Sequence, residues 1–89
     1  MKLNRASLAD KAGWAAAHVE LPQYDVPAVA EATKKAPTWV HFGTGNIFRA
    51  YIAALAQRML NEGLTDKGLL MANTNDPAIL DIAYTPFDN

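Results

Sequence analysis

At 89 residues the chain holds at most one small domain, near the size at which a single core is only marginally stable. Hydrophobic residues make up 51% and charged residues 19%, which excludes a disordered chain, and a formal charge of −1 gives no electrostatic basis for binding nucleic acid or an acidic membrane surface. The absence of cysteine excludes a disulfide framework and a thiolate metal site. His18 and His41 are too far apart to suggest metal-ligand spacing, so no metal is expected. The longest uncharged apolar stretch, "AYIAALA", is far too short to span a bilayer, and "MKLNRASLAD" has no apolar core of signal-peptide length. The cytoplasm is therefore the default compartment.

In chain order, Ser7 followed by Asp10 predicts a helix N-cap with an acidic third residue, opening a short helix from about Leu8 to Ala17. Leu8, Ala12 and Ala15 or Ala16 would share one side of it, with His18 at its end. "ELPQYD" reads as an extended connection, because Pro22 biases the residues before it away from helix. Asp25 caps a second helix from about Val26 to Lys35, with Pro27 in its first turn and Lys34 and Lys35 suited to its C-terminal dipole. Pro37 stops it.

Residues 38–42, "TWVHF", are β-branched and aromatic and predict a strand buried on both faces. A turn at Gly43 to Asn46 follows. From Ile47 the apolar residues Ile47, Phe48, Tyr51, Ile52, Leu55, Met59 and Leu60 fall at helical spacing and form one broad face, with Gly63 as the residue just past the helix end. "LTDKG" is a loop, and "LLMAN", residues 69–73, is a second short strand. Asn75 or Asp76 caps a last helix, with Pro77 in its first turn, Ile79, Leu80, Ile82 and Ala83 as its apolar residues, and Thr85-Pro86 as its end. The fold class is α/β, with a strand–helix–strand unit that should be a right-handed parallel crossover.

The chemistry concentrates at "GTGNIFR", residues 43–49. A dinucleotide turn uses one glycine to bend sharply and the next to admit the pyrophosphate to the backbone, while the helix N-terminus offers unpaired N–H groups and a positive dipole end. Gly43 and Gly45 supply both glycines between a strand and a helix, but Phe48 stands where the usual third glycine would be. A turn of purely structural purpose fits the same residues. The second expected feature, an acidic residue at the end of the next strand, is replaced by Asn73, with Asp76 as the first carboxylate beyond it. NAD is therefore expected without excluding NADP. Arg49 lies in the first helical turn, where a cation opposes the dipole. An anion contact and a salt bridge each explain it equally well. Asn46 suits a side-chain cap. His41, between Val40 and Phe42, reads as a packed residue rather than a catalytic one, and Trp14, Trp39 and Tyr51 read as core aromatics.

"WVHFGTGNIFRAYIAAL", with "MLNEGL" and "YTPFDN", resembles the N-terminal region of the long-chain mannitol dehydrogenase family, which includes hexuronate reductases of the fructuronate type. The family's turn reads G-x-G-N-F-H-R-A-H. Gly43, Gly45, Asn46, Arg49 and Ala50 match it, while Ile47, Phe48 and Tyr51 replace the phenylalanine and two histidines. The resemblance covers residues 37–89 well and residues 1–36 less firmly. It implies that residues 37–89 are the first part of a Rossmann NAD(P)-binding domain, preceded by a helical lead over residues 1–36. It also implies an oxidoreductase that moves a hydride between a nicotinamide cofactor and an open-chain polyol or hexuronate, with a lean to the hexuronates. Cofactor contacts would fall on Gly43, Thr44, Gly45, Asn46, Ile47, Phe48, Arg49 and Asn73. The family's catalytic lysine, with asparagine and histidine partners, has no counterpart here, so the expected catalytic set lies beyond Asn89 and the 89-residue chain alone is expected to be inactive. Two rivals remain: a non-enzymatic small α/β module or truncated product, and an S-adenosylmethionine-binding Rossmann unit, against which the run from Asn46 to Ala50 argues.

Overall fold

Local capping chemistry decides where each helix begins. In the computed structural model, which describes residues 2–88, Asp10 and Asp25 each turn a side-chain oxygen onto the free N–H three residues on, Gly13 and Ala28, at 3.0 Å. Met1 and Asn89, the ends of "MKLNRASLAD" and "YTPFDN", lie outside the described residues. The helices so started are α1 (Lys11–Ala16) and α2 (Val26–Lys35). The second matches expectation residue for residue. The first does not: Asp10, not Ser7, is the cap. Ser7 is held by Asn4, whose amide oxygen accepts from the Ser7 N–H at 2.9 Å, and a 3-10 turn over Ala6–Ala9 precedes the helix. This local bonding competes with helix, as short polar side chains do. Trp14, rather than Leu8 and the alanines, is the buried residue here.

The described residues divide into two compact units. One comprises the residues up to 21 and from 77 onward. Within it the indole N–H of Trp14 donates to the Ser7 carbonyl at 2.8 Å, and the Arg5 N–H donates to the Asp88 carboxylate at 2.9 Å. Helix α1 ends with His18 in the left-handed region (φ 57°), where the N–H groups of His18 and Val19 close onto Ala15 and Trp14. The same unit holds α4 (Ala78–Ala83) and a 3-10 turn over Thr85–Phe87. Pro77 stands at the N-cap of α4, one residue ahead of its expected place inside the helix. Tyr84 is buried.

The other unit, Pro22–Asp76, contains α2, a sheet and the long helix. Strands β1 (Val40–Phe42) and β2 (Leu70–Ala72) run parallel, with Val40 opposite Leu70, His41 opposite Met71 and Phe42 opposite Ala72. Both strands are shorter than expected. They are not buried on both faces either: Val40 and Phe42 are 51% and 71% exposed, since among the described residues too little packs over that face of the two-stranded sheet. The Tyr24 hydroxyl donates to the side-chain oxygen of Gln57, and the Gln23 N–H donates to that of Asn61 at 2.8 Å, which pins the segment before α2 onto α3 (Ala53–Asn61). Thr33 is buried. It takes the Gly68 N–H at 2.8 Å and gives its own proton to Val29.

Ahead of α3 the chain forms a π-helical segment, Phe48–Ile52, in which the Ala53 N–H reaches back five residues to Phe48. Its effect is on phase. Twelve regular α-helical steps from Phe48 to Leu60 would set the two side chains about 120° apart. A π turn absorbs one extra residue and brings them to about 20°. Phe48, Ala56 and Leu60 are accordingly all buried. The neighbouring row, Ile47, Tyr51, Leu55 and Met59, is exposed, so the broad apolar face expected there is half outward, and Tyr51 is not a core aromatic. Gly63 (φ 72°) ends α3 as expected, with Gly63 and Leu64 bonding back to Leu60 and Met59. No helix among the described residues is long and apolar enough to cross a membrane.

Candidate functional site

The glycine turn leaves the carboxyl end of β1 and enters the long helix, at the end of a parallel sheet where open α/β folds place ligands. Gly43 still belongs to the sheet, since its N–H donates to the Ala72 carbonyl at 2.8 Å. Its φ of 119° is closed to residues with a Cβ, so the bend itself explains this glycine. Gly45 is different. It has no positive φ, and a Cβ built on it meets nothing within 4 Å. Among the described residues nothing crowds a side chain there, so beyond a modest N-cap preference for glycine the structure sets no demand for one; the position is exposed and opens onto free space. Its carbonyl accepts from the Arg49 N–H at 3.1 Å, which makes it the N-cap and leaves the N–H groups that follow at the helix start.

Thr44, between the glycines, turns inward. It is 4% exposed, and its hydroxyl donates to the Asn73 side-chain oxygen at 2.8 Å. Asn73 follows β2, so this bond joins the carboxyl ends of the two strands. The Asn73 amide group donates onward to the carbonyls of Asn75 (3.2 Å) and Asp76 (3.1 Å). Asn46 lies inside the helix rather than ahead of it, and its side-chain oxygen accepts from the Arg49 guanidinium. The expected cap is thus replaced by an anchor for the arginine. Arg49 is held at the exposed first turn, where its charge opposes the helix dipole. Phe48 is buried and stacks on His41, ring centroids 4.8 Å apart and 25° from parallel, which accounts for the histidine as a packing residue supporting the turn. Ile47 is 79% exposed beside the opening.

Of the expected contact residues, Gly43, Thr44, Gly45, Asn46, Ile47, Phe48 and Arg49 are contiguous, and Asn73 is joined to them through Thr44. They divide by role. Gly45, Asn46, Ile47 and Arg49 are exposed, whereas Thr44 and Phe48 lie beneath. No group of histidine and acidic side chains suited to a metal ion occurs among the described residues. Sequence reasoning missed the Asn75 and Asp76 carbonyls. The only signal for them was a polar run directly after a strand.

The chain is 43% identical over all 89 residues to the D-mannonate oxidoreductase of Thermotoga maritima, of which it spans 16%. The matched part is that protein's N-terminal region, and that protein is a mannitol dehydrogenase family member. The resemblance read from the turn therefore extends through residues 1–36 as well. No family model matches the chain, and no solved structure matches it.

Proposed function

We propose that this chain is the nucleotide-binding N-terminal part of a mannitol dehydrogenase family oxidoreductase, working with NAD, or with NADP, on an open-chain hexuronate or polyol. The observation that carries the proposal is Gly45: a glycine with no positive φ and no neighbour within 4 Å of an added Cβ, at the N-cap of a helix and facing open space, where N-capping alone gives glycine only a modest advantage. Close approach of a pyrophosphate to the backbone is the reason a Cβ is excluded from such a place. The parallel strand ends, the helix start and the likeness to a D-mannonate oxidoreductase support the same reading.

When bound, the nicotinamide cofactor supplies the hydride chemistry. The residues here bind and orient. The N–H groups at the start of the helix offer donors to the pyrophosphate, and Arg49, steadied by Asn46, adds a positive charge. Exposed Ile47 offers an apolar surface at the rim. The acid–base chemistry is assigned outside these residues, in keeping with a relative of which the chain spans 16%. The hexuronate lean rests on the family resemblance, and the sugar acid in that relative's name fits it.

NADH fluorescence titration of the protein carrying this chain tests the proposal. Gly45→Val should abolish binding while the protein stays folded. Unchanged affinity in a folded variant refutes the assignment of this turn.

A further inference from the structure

We infer that Asn73 is a positioning residue that locks the glycine turn to the loop after β2 through Thr44, and that it is not itself a ribose ligand. The inference rests on the reading of the turn as a nucleotide site and assigns a different duty to the residue at the end of β2. That place usually carries a carboxylate for the ribose hydroxyls. Here the Asn73 amide is already engaged. Its oxygen accepts the Thr44 hydroxyl at 2.8 Å, and its nitrogen donates to the Asn75 and Asp76 carbonyls at 3.2 and 3.1 Å. Both Asn73 N–H groups are taken by carbonyls, so a ribose oxygen could accept from Asn73 only by displacing one of them, and the Asn73 oxygen is already drawn toward a threonine that is 4% exposed.

The arrangement explains why Thr44 faces inward. Gly43 bends the chain with a positive φ, Gly45 lies open, and only the residue between them has a side chain with which to fasten the turn. Its partner must lie on the adjacent strand end, and an amide suits the position better than a carboxylate. The amide accepts from Thr44 and also donates to two carbonyl oxygens, whereas an aspartate would set anionic oxygen against those carbonyls. Asn73 therefore offers ribose neither an uncommitted N–H nor a charge, and any choice between a 2′-hydroxyl and a 2′-phosphate falls to other residues.

The experiment is a double-mutant cycle on the protein carrying this chain, read by NADH titration and by amide hydrogen exchange of the nucleotide-free protein. Thr44→Val and Asn73→Ala should each weaken NADH binding about three- to tenfold, the scale of one hydrogen bond. Together they should cost little more than either alone. Exchange at the amides of residues 44 and 45 should quicken in both variants. Thr44→Ser, which keeps the hydroxyl, should restore affinity and protection, so a folding defect from the buried valine cannot account for the result. Asn73→Asp separates the two duties: a lock is weakened by it, whereas a ribose ligand is preserved or improved. NADH bound as tightly by Asn73→Asp as by the unaltered protein overturns the inference. So do multiplicative losses in the double variant, or unchanged affinity and exchange in Thr44→Val and Asn73→Ala. If Gly45→Val also leaves binding intact, the nucleotide reading of the turn falls and the inference with it; if Gly45→Val abolishes binding while the lock variants do nothing, only the lock is wrong.

Discussion

Two glycines one residue apart are expected to fail in opposite ways when replaced by alanine. At Gly43 a φ of 119° strains any residue with a Cβ, and its N–H is fixed to the Ala72 carbonyl at 2.8 Å, so the backbone cannot rotate away without losing a ladder bond. The nearest atom to the added Cβ is 3.8 Å away, an ordinary contact, so the cost is conformational and amounts to roughly 1–3 kcal/mol. At Gly45 the added Cβ meets nothing. The smaller conformational freedom of alanine in the unfolded chain contributes about 0.4–1 kcal/mol of stability, while alanine is a poorer N-cap by a similar amount, so the net change should stay within about 1 kcal/mol. Binding reverses the order of interest. Gly45→Ala should weaken NADH at least tenfold, or about 1.4 kcal/mol, although its stability is nearly unchanged. Urea unfolding and NADH titration of the same samples measure both quantities. Gly45→Ala with unaltered affinity, or Gly43→Ala as stable as the parent, refutes the division of labour between them.

Burial holds the Tyr24 phenol above its ordinary range, so the folded state keeps its proton to higher pH than the unfolded state does. Stability should therefore fall as pH rises past about 10, the unfolded value, and pH-dependent urea midpoints should show that part of the slope missing in Tyr24→Phe. Leu60→Ala should cost about 2–4 kcal/mol and Ile47→Ala about 0.5 kcal/mol or less, since the first side chain is 8% exposed and the second 79%. Equal costs in thermal melts would contradict the helix phase. His18→Gly should stabilise by about 1 kcal/mol, because glycine adopts the left-handed end of α1 without strain, and a lower melting temperature would count against that geometry. The 89-residue chain expressed alone should self-associate on size-exclusion chromatography, because Phe42, Ile47 and Tyr51 lie exposed and both strands of the described sheet have an open edge, and it should show no dehydrogenase activity.

What could be read in advance was what local chemistry determines. Asp25, Pro27 and the paired lysines bracket α2 without help from any distant residue, and Gly63 ends its helix for the same reason. The alternation of strand, glycine turn, helix and strand was equally legible. The helix after the turn was not, because two adjacent rows compete: Ile47, Tyr51, Leu55 and Met59 are as apolar as Phe48, Ile52, Ala56 and Leu60. Periodicity marks both. Which row turns inward depends on what lies across from it, and here Ala56 is buried while Leu55 stays 39% exposed. At the site, the glycines and Arg49 declared themselves by type and spacing. The tie between Thr44 and Asn73 spans 29 residues and depends on strand register, which composition does not encode.

The π turn at Phe48–Ile52 has a consequence for aligning this chain with its relatives. The helix carries one residue more than its buried row needs. Deleting Ala50 would leave eleven regular steps between Phe48 and Leu60, about 20° out of line, so the shorter chain keeps its core. Regularising the helix without a deletion would leave Phe48 about 120° from Leu60, a swing of about 100°, and part its ring from His41. A single-residue gap opposite residues 49–51 in a homologue is thus a conservative change for the buried row.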